Sequence, residues 1–364
     1  MTTNTPGLAW KPNWAETREH LVGWWERRDF AVGLMSGPPA RSRRDATIMT
    51  PPGTREEWLR HPQLWARHMY NWLAGQDYPL ESFPLCYTDY GPGSLPLMLG
   101  SEPLFQDLTI WIEPFLRNDT APEQRPPFVL DPGNGWWQTH VDCVRECRAL
   151  GEGKYLIGAP DLGSPFDNLA TIRGVENLMM DLYERPGWVE EKCEELFAAW
   201  QQGYDLLEPY LSHQAGGWCY GAFHLWAPGR VTIIQCDSAT MMSAKHFRKF
   251  VLPHVKRQCQ ALDYSLFHLD GRACLDKLDM LLEIEELDAI QWNPDPDPNA
   301  GDPQWYDLLR RILAAGKSIE GICVRPEQVG PLLDAIGTKG VYLLADTTDG
   351  REIEQLEKTV ERFR

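Results

Sequence analysis

The sequence predicts an α/β fold: a (β/α)8 barrel with an N-terminal helical extension and an irregular insertion. Three observations carry this. From residue 137 to the C-terminus, short strand-like runs alternate with helix-like segments, the signature of βα units on a parallel sheet. The chain holds about eight such units, which fits a closed barrel better than an open sheet. No Gly-rich phosphate-binding turn follows any strand-like run, so neither an open dinucleotide-binding sheet nor an NAD or FAD site is expected. At 364 residues and 43% hydrophobic composition the chain can bury such a core as one unit. Residues 1–364 are therefore read as a single barrel domain, with 1–29 as the helical extension and 101–135 as the insertion.

The elements follow in order. Residues 14–28 form a helix by the spacing of Trp14, Leu21 and the Trp24–Trp25 pair, and lead into a first strand beginning at Phe30. Prolines and arginines over 37–44 read as a loop. Trp58, Trp65, Met69 and Trp72 share one face of a helix over 56–75. A short strand over 83–87 precedes a Gly/Pro-rich turn. Residues 101–135 are Pro-rich and are expected to lie over one end of the fold. A helix to 150, a strand over 155–161 and helices over 174–183 and 186–210 come next. Two strand-like runs occupy 217–237. A helix over 243–262 then precedes the strand ending in His268-Leu-Asp270-Gly271. Helices over 272–285, 303–315, 326–336 and 350–363 alternate with strands over 288–292, 318–323 and 341–345.

The formal charge of −17 opposes nucleic acid and anionic membrane as partners, since both select basic surfaces. No sustained apolar run is long enough to span a bilayer. The N-terminus lacks the basic start and apolar core of a secretion signal. The nine cysteines show no disulfide framework and read as reduced thiols. A cytoplasmic location is expected, with the Trp-rich N-terminal segment a candidate homodimer surface.

In a parallel barrel, chemistry is built just after the C-terminal ends of the strands. Those positions supply Arg41, Arg43 and Arg44 after the first strand, Asp89 and Tyr90 after the second, and Asp161 after the third. His224 and Trp226 follow the fourth, then Cys236 with Asp237, His268 with Asp270, Gln291 with Trp292, Glu320 and finally Asp346. His268 and Asp270 stand two apart on one strand and so share a face. An imidazole and a carboxylate so placed can ligate a metal or form an acid/base pair. His268, Asp270 and Asp237 are the candidate catalytic groups. Candidate metal ligands are His268, Asp270, Glu320 and Asp346. Trp226, Trp292, Gln291, His224, Asp161, Asp89, Tyr90 and Arg41 are candidate substrate contacts, with core burial the competing reading for the two tryptophans. No C-x-x-C or H-E-x-x-H spacing signals zinc by itself.

The stretch from Asp237 through Ser243 and Phe247 to Phe250-Val-Leu-Pro253 resembles a hallmark of the uroporphyrinogen decarboxylase and corrinoid-linked methyltransferase superfamily. His268-Leu-Asp270-Gly271 is similar to that superfamily's His-x-Cys-Gly segment. Ala170-Thr-Ile-Arg173-Gly174 and the C-terminal βα units extend the resemblance over roughly residues 150–360. It implies a (β/α)8 barrel and either decarboxylation of a tetrapyrrole or methyl transfer between corrinoid proteins and thiols. The chain departs from both patterns. The paired N-terminal arginines of the decarboxylases have no counterpart beyond Arg41, Arg43 and Arg44. Asp270 stands where the thiol-activating enzymes place a cysteine, and the segment at Asp346 lacks their second one. Methyl or one-carbon transfer on a small polar substrate is the expected function, with zinc or another divalent metal and a corrinoid-carrying protein as expected partners. The alternatives are a decarboxylase of a carboxylated substrate and a non-catalytic ligand-binding barrel.

Overall fold

The computed structural model describes residues 7–40, 44–45, 48–91, 93–106, 110–212, 214–297 and 299–364. Six parallel strands form one continuous sheet in the order β1 (Phe30–Leu34), β12 (Val341–Ala345), β11 (Ser318–Val324), β10 (Ala289–Asn293), β9 (Tyr264–Asp270) and β8 (Val231–Gln235). A parallel pair, β2 (Leu85–Cys86) with β5 (Leu156–Ile157), supplies the other two barrel strands. These eight are the (β/α)8 wall. Buried side chains on both faces of the strands explain their near-continuous apolar character, as expected when helices cover a parallel sheet.

The gaps in the ring are closed by other means. Between β1 and β2, the backbone N–H of Val32 donates to the Glu81 carboxylate at 2.9 Å and that of Leu34 to Ser82 Oγ at 2.8 Å. Between β5 and β8 a hairpin is wedged, made of β6 (Trp218–Tyr220) and β7 (Leu225–Ala227). Tyr220 makes a parallel bridge to Ala159 just beyond β5, so β6 runs with the barrel and β7 runs back against it. His224, at φ 52°, helps make the tight tip.

The N-terminal helix (Trp14–Trp25) closes the N-terminal end of the barrel. Trp24 Nε1 donates to Ile319 O at 2.9 Å at the start of β11, and Trp25 packs at a tilt against Tyr264 at the start of β9, ring centroids 5.2 Å apart. Trp10, Trp14, Trp24 and Trp25 are all buried, so these side chains are barrel core.

Several expected elements differ in detail. Pro62 cannot continue the ladder of a preceding helix, so the helix expected over 56–75 is two, Arg55–Arg60 and Pro62–Ala74. The insertion is not wholly irregular: β3 (Glu102–Phe105) and β4 (Ile110–Glu113) pair as a hairpin. The helix Pro165–Arg173 was not expected from the sequence.

Candidate active site at the barrel mouth

His268 and Asp270 end β9 on one face, and Gly271, at φ 79°, turns the chain away directly after them. The neighbouring β10 carries a matching pair. Register places Gln291 beside His268 and Asn293 beside Asp270. Gln291 Oε1 is hydrogen-bonded to His268 Nδ1, and Asn293 Nδ2 donates to Asp270 Oδ1 at 2.5 Å. Two amides on one strand thus hold the imidazole and the carboxylate on the next. Phe223, from the tip of the β6–β7 hairpin, packs on the His268 ring at 5.0 Å.

Asp237 follows β8 and completes the group. One ligand atom each from Asp237, His268 and Asp270 lie within 4.8 Å of one another. Its backbone is fixed by Asp167 in the helix Pro165–Arg173: Asp237 N donates to Asp167 Oδ2 at 2.9 Å, and Ser238 Oγ to Asp167 Oδ1 at 2.8 Å. Asp167 was missed in the sequence because its helix was missed. Asn293 was missed although its position, two residues beyond Gln291 on a strand, is the signal that could have found it.

Carboxylates crowd this end of the barrel. Although Asp237 is exposed at the rim, surrounding protein and then Asp167, Asp270 and Asp161 push its carboxyl up to about 8. Asp161, beyond β5, is pushed up to about 7 by burial, with Asp89 and Asp167 adding to the shift and Gly163 N opposing it. Burial likewise raises Asp89 and Asp167. Desolvation lowers His268, against its Gln291 bond and the nearby Asp270, so the imidazole is neutral with a lone pair to offer. A cleft of about 490 Å³ opens beside Asp237, with Asp167 and Ser238 on one side and Trp111, Ile112 and Met241 as apolar walls. The insertion hairpin therefore lines the approach to the site.

Other expected site residues lie elsewhere. Trp226 is fully buried, edge-on to Trp14 at 5.3 Å, and accepts from Trp25 Nε1 through its carbonyl. The strand-end rule misplaced it because β7 runs antiparallel to the barrel and delivers Trp226 to the N-terminal end. Trp292 alternates away from Gln291 to the outer face of β10, where it packs on Trp305 at 5.1 Å. Tyr90 is buried against Trp136 and His140. His224 sits inside the barrel at 3.3 Å from Tyr87 Oη and burial lowers it to about 4. Glu320 and Asp346 do not join the Asp237–His268–Asp270 group: they belong to β11 and to the end of β12, two and three strands away. Arg41 and Arg43 lie outside the described residues. Arg44 is bonded to Gln76 O and Asp77.

A methyltransferase from Methanosarcina mazei shares this fold, with a TM-score of 0.62 over 95% of this chain and 98% of that one at 11% sequence identity. A B12-independent methionine synthase from Shewanella sp. W3-18-1 is a weaker likeness, at a TM-score of 0.37, 13% identity, and coverage of 61% of this chain and 65% of that one. No family model matches the sequence, and no curated protein does. The chain is thus a (β/α)8 barrel of the architecture on which that methyltransferase is built.

Proposed function

We propose that the chain is a methyl-transfer enzyme of the uroporphyrinogen decarboxylase and methyltransferase superfamily, in which Asp237, His268 and Asp270 hold a divalent cation. The observation that carries this reading is the convergence of one imidazole and two carboxylates from the ends of adjacent strands, within 4.8 Å, at the catalytic end of the barrel. The fit is supported by the donor set. Three carboxyls raised chiefly by burial, Asp161, Asp167 and Asp237, are relieved by a positive charge, and His268 has Nδ1 bonded and Nε2 free to ligate. Two oxygens and a nitrogen suit zinc or a harder metal.

A bound divalent cation supplies Lewis acidity that lowers the pKa of a thiol or other heteroatom on the methyl acceptor. The chain's own groups do the rest. Asn293 and Gln291 keep Asp270 and His268 in place, and Asp167 fixes the backbone of Asp237. Asp237, its carboxyl pushed up to about 8 in the cation-free site, is mostly protonated near neutral pH; it releases that proton on taking up the cation and as a carboxylate can then accept the acceptor's proton. The Trp111–Ile112–Met241 wall gives the cleft an apolar side against which an uncharged part of a substrate can pack. The rim opposes the decarboxylase alternative. A substrate with several carboxylates would meet Asp89, Asp161, Asp167, Asp237 and Asp270, while Arg44 is engaged with Asp77.

The reading is tested by elemental analysis of the purified protein and of its His268→Ala and Asp270→Asn variants. The expected result is one divalent cation per chain, lost in both variants. Methyl transfer from methylcobalamin to a small thiol, followed by the cobalamin spectrum, is expected to fall about a hundredfold or more in each variant. A wild-type protein that binds no cation and moves no methyl group would rule the reading out.

A further inference from the structure

The interior of the barrel holds a buried polar layer that the site described above does not use in full. Register places Gln235, His268, Gln291, Glu320 and Tyr342 side by side on β8, β9, β10, β11 and β12. Side chains in such register share a face and stand next to one another. Glu320 is fully buried and neither of its carboxyl oxygens has a hydrogen-bond partner. Gln291 Nε2, on the adjacent strand, is also buried and without a partner. Its other amide atom, Oε1, is committed to His268 Nδ1. On the far side of Glu320, Tyr342 Oη donates to His224 O at 3.3 Å, which leaves its own lone pairs free.

We infer that Glu320 is a positioning residue for His268, acting through Gln291 in a hydrogen-bond chain that crosses four neighbouring barrel strands. This inference rests on the proposed role of His268 as a cation ligand. The logic is that of matching donors to acceptors. A primary amide has one acceptor end and one donor end, and it can turn over. Gln291 Oε1 is taken by His268 Nδ1, so the amide faces Glu320 with its unpartnered Nε2, whose N–H the carbonyl oxygen of the carboxyl can accept, directly or across one water. That orientation points Oε1 at His268, and Oε1 can only accept. His268 must then carry its proton on Nδ1 and present Nε2 as a lone pair. Burial raises the Glu320 carboxyl well above its ordinary range, so it is held neutral. A neutral carboxyl also has an O–H to place, and the free lone pairs of Tyr342 Oη receive it. The chain then reads His268 Nδ1–H to Gln291, Gln291 N–H to Glu320, Glu320 O–H to Tyr342, and Tyr342 O–H to the His224 carbonyl. Every partner has one role, and a buried polar chain is stable only when its members are so satisfied. Glu320 therefore acts as a neutral acid without touching the reacting atoms.

The test compares Glu320→Leu with the isosteric Glu320→Gln, whose amide can keep both links, and with Tyr342→Phe. Two readouts are needed: the ¹⁵N shifts of His268 in histidine-labelled protein, assigned with His268→Ala, and Zn²⁺ affinity by chelator competition. In the wild-type protein Nδ1 is expected to be protonated and Nε2 bare. Glu320→Leu is expected to mix the tautomers and weaken Zn²⁺ binding by ~10-fold or more. Glu320→Gln retains both properties, and Tyr342→Phe gives a smaller change of the same sign. The inference is overturned by a wild-type Nε2–H tautomer, by Glu320→Leu leaving tautomer and affinity unchanged, or by Glu320→Gln failing as Glu320→Leu does. If the wild-type protein binds no Zn²⁺ at all, the metal reading fails, and the tautomer shifts still decide the positioning role.

Discussion

From β8 to β12 the barrel wall is a continuous run of paired five- to seven-residue strands, with one register shift in β11, whereas from β1 round to β8 it is a patchwork of two-residue strands, a wedged hairpin and side-chain staples. The ladder half sets partners by register alone: once Gln291 lies beside His268, Asn293 must lie beside Asp270. The patchwork half has no such ladder. Its order comes from aromatic packing around Trp14, Trp25 and Trp226 and from polar side chains that bond backbone groups no strand reaches. The proposed site sits on the half whose geometry is most strongly determined, and the other half packs around its tryptophans.

The largest effect expected to sharpen this contrast is on stability alone. Trp226→Ala removes a fully buried indole from the patchwork half and is expected to cost ~3–5 kcal/mol in denaturant unfolding. Cation affinity in the folded fraction should stay unchanged. A large loss of affinity at full folding would place Trp226 in the pocket after all. Next in size is Glu81→Ala. Glu81 Oε2 accepts from Val32 N, and Oε1 bonds His20 at 2.8 Å and Arg364 at 2.7 Å. Its loss orphans a buried N–H between β1 and β2, at about 1–3 kcal/mol. Hydrogen exchange at Val32 should speed up, and protection unchanged at that amide would show the gap is closed some other way.

In the ladder half the corresponding change acts on the site. Asn293→Ala frees Asp270 Oδ1 and is expected to weaken cation binding by ~10–100-fold with little change in stability. Asn293→Asp should be worse than Asn293→Ala, since it sets a carboxylate against a carboxylate. Equal affinity in all three proteins would show that Asp270 needs no such support.

The same contrast explains what could be read without coordinates. Strands over 318–323 and 341–345 and the helix over 326–336 match the structure closely because each is a single long period with its own caps. His268, Asp270 and Gln291 were legible for the same reason: a strand's two-residue period says which side chains share a face. Trp226 was not, because the sequence does not say that Gly221-Ala-Phe-His224 is a hairpin tip, and a strand running backwards delivers its end to the wrong side of the barrel. Glu320 was legible as an acid on its strand but its surroundings were not, since only register shows Gln291 standing between it and His268. Asp167 was hidden by a nine-residue helix, buried on most sides, whose mixed apolar and polar residues show no clear period.

The smallest expected effect is the pH dependence of the cation-free protein. Asp237 has its folded pKa pushed up to about 8, above the ordinary carboxyl value it has unfolded. The folded state therefore holds a proton that the unfolded state has released over the window between those values. Stability from this group falls as pH rises from about 4 toward about 8 and is level above that. Asp161, at about 7, adds a slope of the same sign over a narrower window. Because Asp237 is exposed, solvent screening keeps its share modest. Melting temperatures of chelator-treated protein between about pH 5 and about pH 9 should decline, and Asp237→Asn should flatten the decline in part, leaving the Asp161 contribution. Added divalent cation should reverse the trend, stabilising more at the alkaline end, where the ligand carboxylates need surrender no proton to bind it. A slope in Asp237→Asn as steep as in the wild-type protein would mean that the crowding of acids at the mouth is relieved by another group, and that the site is less strained in its empty state than its geometry implies.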